Sequence, residues 1–137
     1  SFDLLNLNLY LSVGLNNNKD IEMVLNSFNS KKFFKKSTLV HTCFDKKINK
    51  KFNKNFNEDF SLKRIQILKN KFKLKVGFSN HFKNLKKIIE SLKYKPNVIF
   101  FYVKLNKKLN FPDKDWAVNI NNVKKLSKKI KNLRKKY

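Results

Sequence analysis

The sequence predicts an α+β fold: a mixed or antiparallel sheet with helices packed on one face, plus basic extensions. Three observations predict it. Residues 5–13, LNLNLYLSV, alternate apolar and polar positions with a period of two; residues 82–92 and 123–133 carry apolar side chains at helical spacing; and residues 45–61, DKKINKKFNKNFNEDFS, form a Lys/Asn/Phe-rich tract. Over 137 residues this describes a single α+β domain, 1–137, with 45–61 an extension or loop within it.

Leu5, Leu7, Leu9, Leu11 and Val13 fall on one face and Asn6, Asn8, Tyr10 and Ser12 on the other, as in a half-buried strand. Gly14 and the following NNNKD stop it. Ile21, Val24, Leu25 and Phe28 then recur at helical spacing, with Asn18 or Asp20 as the cap. STLVHTCF, 37–44, is β-branched enough for a second strand. In the tract that follows, Ile48, Phe52, Phe56 and Phe60 recur every fourth residue, but the asparagines between them are poor helix formers, so order is expected only on a partner. Arg64–Leu68 and Phe72–Phe78 read as two strands of a hairpin turning at Lys69-Asn70. Ser79 or Asn80 caps a helix carrying Phe82, Leu85, Ile88, Ile89 and Leu92, which Pro96 ends. NVIFFYVKL, 97–105, is a continuous apolar run suited to a central strand. A polar loop with Pro112 and Trp116 leads to a last helix with Val123, Leu126, Ile130 and Leu133 on one face.

The 33 basic residues against 9 acidic ones give a net charge of +24, which calls for a polyanionic partner. Only Arg64 and Arg134 are arginines. Lysine is a hydrated point charge suited to phosphate, whereas base edges favour the arginine fork, so phosphate contact outweighs base reading. Residues with GC-rich codons are scarce, which points to an AT-rich genome of an organelle, endosymbiont or parasite and makes part of the lysine surplus mutational. Cys43 stands alone, so no disulfide framework or CxxC pair exists and a reducing compartment fits. No run of eighteen apolar residues is present, so no membrane insertion is expected. The chain begins at Ser1 with no signal layout, as a processed chain or part of a longer product would.

Candidate chemistry is thin. His41 and Cys43, two apart on a strand, share a face and could be a thiol and its base; the plainer reading is a small apolar Cys beside a half-buried His. His81, a lone imidazole after a helix cap, suits a phosphate or solvent contact. Asp113 and Asp115 in FPDKDW resemble half a metal site but lack a third ligand, which favours turn chemistry. With glycines only at 14 and 77, no glycine-rich phosphate loop can form. The residues therefore predict no enzyme, no cofactor, no metal and no small-molecule substrate. The binding candidates are Lys46, Lys47, Lys50, Lys51 and Lys54; Lys71, Lys73, Lys75 and His81; and Lys124, Lys125, Lys128, Lys129, Lys131, Arg134, Lys135 and Lys136.

Leu74-Lys75-Val76-Gly77-Phe78-Ser79 resembles a strand end in the second domain of the ribosomal large-subunit protein six family, with Asn80 where that family has histidine. Lys95-Pro96-Asn97-Val98-Ile99 resembles a later strand of that family. Val123, Leu126, Ile130, Leu133 and Arg134 match the intervals of its terminal helix. The three pieces fall in the right order within residues 65–137, with a helix inserted between 80 and 95 and a loop between 105 and 119. The resemblance implies a structural constituent of a mitochondrial ribosome in the matrix, large subunit ahead of small. Its lysines would meet rRNA phosphates, with rRNA and neighbouring ribosomal proteins as partners. A free organellar nucleic-acid-binding factor in transcription or RNA processing is the alternative, and an enzyme using His41 and Cys43 is a third.

Overall fold

A computed structural model describes residues 8–14, 16–27, 36–43, 61–82, 85–105 and 113–134. The chain runs β1 (Tyr10–Ser12), α1 (Asn18–Ser27), β2 (Thr38–Cys43), α2 (Arg64–Phe72), β3 (Lys75–Asn80), α3 (Lys86–Ser91), β4 (Ile99–Phe100), β5 (Val103–Lys104), β6 (Val118–Asn119) and α4 (Ile120–Arg134).

Local chemistry accounts for the helices. Ahead of α1, Asp20 N–H donates to Asn17 Oδ1 (3.0 Å) and Asn17 N–H donates to Asp20 Oδ2 (3.1 Å), a reciprocal cap that satisfies two backbone donors. The cap is Asn17, where Asn18 or Asp20 was expected. Ile21 and Leu25, one turn apart, are the buried face of α1. The hairpin expected from Arg64 to Phe78 is a helix and a strand instead. Ile65 and Leu68 are buried and Phe72 packs beside them, a spacing of three and seven that only a helix brings to one side. Lys73 then turns left-handed (φ 54°) with its N–H on Lys69 O (3.0 Å), and β3 begins at Lys75. Ser79 and Asn80, expected as helix caps, close β3; α3 starts later and ends through a 3-10 turn, Leu92–Tyr94, at left-handed Lys95. The apolar run 97–105 is broken into β4 and β5, and β5 pairs with β6 in a separate two-stranded sheet. Of the extension expected at 45–61, residues 45–60 lie outside the described residues.

The mixture of helices and sheet holds, but the sheet is parallel rather than mixed or antiparallel. Its order is β1-β2-β3-β4, with every adjacent pair parallel. A parallel pair needs a crossover, and α1, α2 and α3 supply the three crossovers in turn. Crossovers of one hand along an order without reversal lay their helices on the same face. Leu39, Cys43, Val76 and Phe78 accordingly share one buried cluster with Ile21, Leu25, Ile65, Leu68, Ile88 and Leu126 from the four described α-helices.

The opposite face carries Tyr10, Thr38, Val40, Lys75, Gly77, Ser79 and Phe100, by register across all four strands. On a flat sheet, three strand spacings would separate β1 from β4 by about 14 Å. The Tyr10 and Phe100 rings nevertheless meet edge to face at 5.4 Å, so the sheet curls and this face is concave. Gly77 lies at the bottom of the curl. Val98 fills the space a side chain would take: a Cβ at position 77 would stand 2.6 Å from Val98 Cγ1 and 3.1 Å from Val98 O. Phe78 N–H donates to Val98 O (2.9 Å) and the Asn97 side chain accepts from Val76 N–H (2.9 Å), fastening the approach to β4.

Arg64 is the largest fully buried side chain among the described residues. Its guanidinium donates to the carbonyls of Gly14 (3.4 Å) and Asn16, tying the turn after β1 to the first turn of α2.

Gly77→Ala is expected to destabilise the fold by about 1–3 kcal/mol through overpacking. Urea unfolding should show it, with part of the loss restored by Val98→Ala in the same protein; an unchanged midpoint would contradict the close approach. Arg64→Met removes two hydrogen bonds made by a buried guanidinium and is expected to cost about 1–3 kcal/mol in the same measurement.

Candidate active site at the carboxyl edge

Parallel sheets built from crossover units present ligand sites where their strands end, because the loops there are free of the crossover helices. Here β2 ends at Thr42 and Cys43, and β3 ends at Ser79 and Asn80. His81 is the next residue in the concave alternation Lys75, Gly77, Ser79. Its imidazole lies edge-on to the Tyr102 ring (centroids 5.4 Å apart) and tilted against Trp116 (6.1 Å), with Nε2 3.5 Å from the Tyr102 hydroxyl.

The turn opposite is built by its own carboxylate. Trp116 Nε1–H donates to Asp113 Oδ1 (3.0 Å) and Trp116 N–H to Asp113 O (3.3 Å). This is the turn chemistry anticipated for Asp113, and no group of three or more His, Cys, Asp or Glu that could hold a metal occurs among the described residues. Burial pushes the His81 imidazole below its ordinary 6.5, against weaker upward pulls from the Ser79 backbone hydrogen bond and the Asp113 charge. At neutral pH it is an uncharged ring with one donor and one acceptor nitrogen.

His41 and Cys43 lie on the helix-covered face. His41 Nε2 is 3.0 Å from Ser61 O and 3.1 Å from Cys43 Sγ. A carbonyl only accepts, so Nε2 carries the hydrogen and cannot also be the base that takes the thiol proton. The pair is packed among the core side chains, with His41 fully buried where the plainer reading had it half-buried.

The basic candidates do not converge. Lys71, Lys73 and Lys75 cluster where α2 ends and β3 begins, at the edge opposite His81, and Lys71 is paired with Glu22 (3.0 Å). Lys124, Lys125, Lys128, Lys129 and Lys131 are spread over the exposed side of α4, which ends at Arg134. Lys46, Lys47, Lys50, Lys51, Lys54, Lys135 and Lys136 lie outside the described residues. Tyr102 and Trp116, by contrast, were absent from the candidates: Tyr102 reads as part of an apolar strand, and Trp116 as a loop residue. An available signal was a lone tryptophan next to carboxylates in the turn before the last helix.

A family model described as the NeuB family matches residues 4–137. Among solved structures, the chain resembles the crystal structure of N-acetylneuraminic acid (sialic acid) synthetase from Leptospira borgpetersenii serovar Hardjo-bovis in complex with citrate. The TM-score is 0.71 at 23% identity, covering 92% of this chain and 41% of the synthetase. No curated protein matches the chain. These findings overturn the ribosomal assignment and, with it, the rRNA and ribosomal-protein partners, the alternative of a free nucleic-acid-binding factor and the expectation of a chain that is not an enzyme. The resemblance to the ribosomal family rested on two short strand pieces and the spacing of a last amphipathic helix, which a parallel sheet followed by α4 supplies equally well. The expectation of no small-molecule substrate falls too, since the synthetase of this fold was solved with citrate bound.

Since His81 titrates lower in the folded protein than in the unfolded chain, the unfolded state takes up its proton first as pH falls. Stability owed to the neutral ring is complete above 6.5 and is lost as pH falls toward the lowered value. His81→Gln is expected to flatten that part of the stability profile; urea midpoints falling equally in both proteins from about pH 7.5 to about pH 5 would refute it.

Proposed function

This chain belongs to the NeuB family, and we propose on that footing that it forms the substrate-facing edge of a biosynthetic enzyme producing a carboxylated amino sugar of the sialic acid type. The observation that carries the proposal is the family match over residues 4–137, which takes in every described strand and helix. The chain spans 41% of the synthetase's length, so the activity is proposed for this chain together with whatever completes that fold.

Within this reading the residues have distinct tasks. The neutral His81 ring offers a hydrogen-bond donor and acceptor to a polar substrate without adding charge. Ser79 and Thr42, neighbours in register, bring hydroxyls to the same concave edge. Tyr102 and Trp116 wall that edge and restrict water around His81. Asp113 positions Trp116 and does not act on substrate.

The lysine surplus needs no polyanion here. An AT-rich genome favours Lys over Arg irrespective of function, and the proposed setting is an organelle, endosymbiont or parasite with such a genome.

The test is complementation. A bacterial strain unable to make sialic acid, supplied with the intact protein containing this chain, is expected to accumulate N-acetylneuraminic acid or a close analogue by mass spectrometry. His81→Ala should lower the yield by roughly 10-fold, the scale of a lost hydrogen bond to substrate. No carboxylated amino sugar in a strain with well-folded protein would overturn the proposal.

A further inference from the structure

Trp116 spends its polar group inside its own turn. The indole N–H is on Asp113, and Lys104 Nζ reaches the Lys114 carbonyl (2.7 Å), clamping the turn from β5. Two residues further on, Val118 N–H donates to Tyr102 O (2.8 Å), which fixes Trp116 relative to Tyr102. The indole is thus held in place with only its ring surfaces left to offer a ligand. Tyr102 keeps 38% of its surface exposed at the same edge, and Trp116 is half-buried. The Tyr102 and Trp116 rings lie at 78° and 51° to the imidazole, so neither stacks flat on it. Exposed aromatic surface next to a few oriented polar groups at the end of a parallel sheet is the make-up of a ligand pocket.

We infer that Tyr102 and Trp116 form an aromatic subsite that takes the C–H face of a sugar ring, with His81 and the Tyr102 hydroxyl meeting its hydroxyl or acetamido groups. The identity of the sugar rests on the synthase reading above. The face of an aromatic ring is electron-rich and its edge electron-poor, so ring C–H bonds are attracted to the face while an anion is not. The subsite therefore selects a sugar ring and is indifferent to a small acyclic acid such as citrate.

Trp116 is the one tryptophan of the chain, so its emission reports the subsite directly. The intact protein is titrated with N-acetylneuraminic acid and, separately, with citrate, using Trp116→Phe to identify the Trp116 signal. A saturable change with the sugar acid and none with citrate is expected. Tyr102→Ala, which removes an exposed ring, should weaken sugar-acid binding about three- to ten-fold while leaving the citrate titration as it was. A protein that makes the sugar acid but shows no Trp116 response, or an equal response to citrate, overturns the subsite and leaves the synthase reading standing. A protein that responds to the sugar acid yet makes none overturns the synthase reading and leaves the subsite. Neither response nor synthesis overturns both.

Discussion

The close approach of Val98 to Gly77 is the constraint on which the geometry of the site depends. Only a residue without a side chain lets the segment before β4 come this close to β3, where Val98 takes the vacant volume. Once it lies there, Phe78 and Asn97 can make the hydrogen bonds that extend the sheet to β4. The chain then leaves β4 directly beside the end of β3. Tyr102 meets His81 for that reason: the two are 21 residues apart, and the register of β3 with β4 brings them together. A side chain at position 77 would move β4 and, with it, Tyr102 beside His81.

Much of the secondary structure was legible because its causes are local. α1 follows from Ile21 and Leu25 at one-turn spacing behind a polar cap, and α4 from Val123, Leu126 and Ile130. What was not legible depends on partners distant in sequence. β2 is buried on both faces, so its residues carry no alternation to show which side meets helices. The α2 segment was misread because Phe72, Leu74, Val76 and Phe78 alternate across a boundary, with Phe72 closing a helix and Val76 already inside a strand. The left-handed turn at Lys73 separates them, and lysine is not a residue that announces such a turn. Parallel pairing has no local signature at all, since it is set by crossovers.

The functional misreading came from weighing charge above topology. Charge counts every lysine alike, yet the structure puts Lys69 on the carbonyls ending the 3-10 turn, Lys104 on a turn carbonyl and Lys71 beside Glu22. These lysines hold the chain together or sit at the amino edge of the sheet. Few residues make the site, and most are ordinary in composition: a histidine, a tyrosine, a tryptophan and two hydroxyls. Their meaning comes from strand order. The histidine was among the candidates, but the two rings beside it were not, because nothing in residues 97–105 signals that the run breaks before Tyr102.

The Arg64 tether has a consequence for the order in which the fold can be completed. Its two acceptors lie 50 and 48 residues upstream, so the turn leaving β1 is finished by a side chain made much later. During vectorial synthesis the first strand and helix emerge with those carbonyls still turned to water, and they reach their final conformation only when α2 has formed and docked. The two leading crossover units thus mature together, which raises the contact order of this half of the sheet and makes its assembly a single late event.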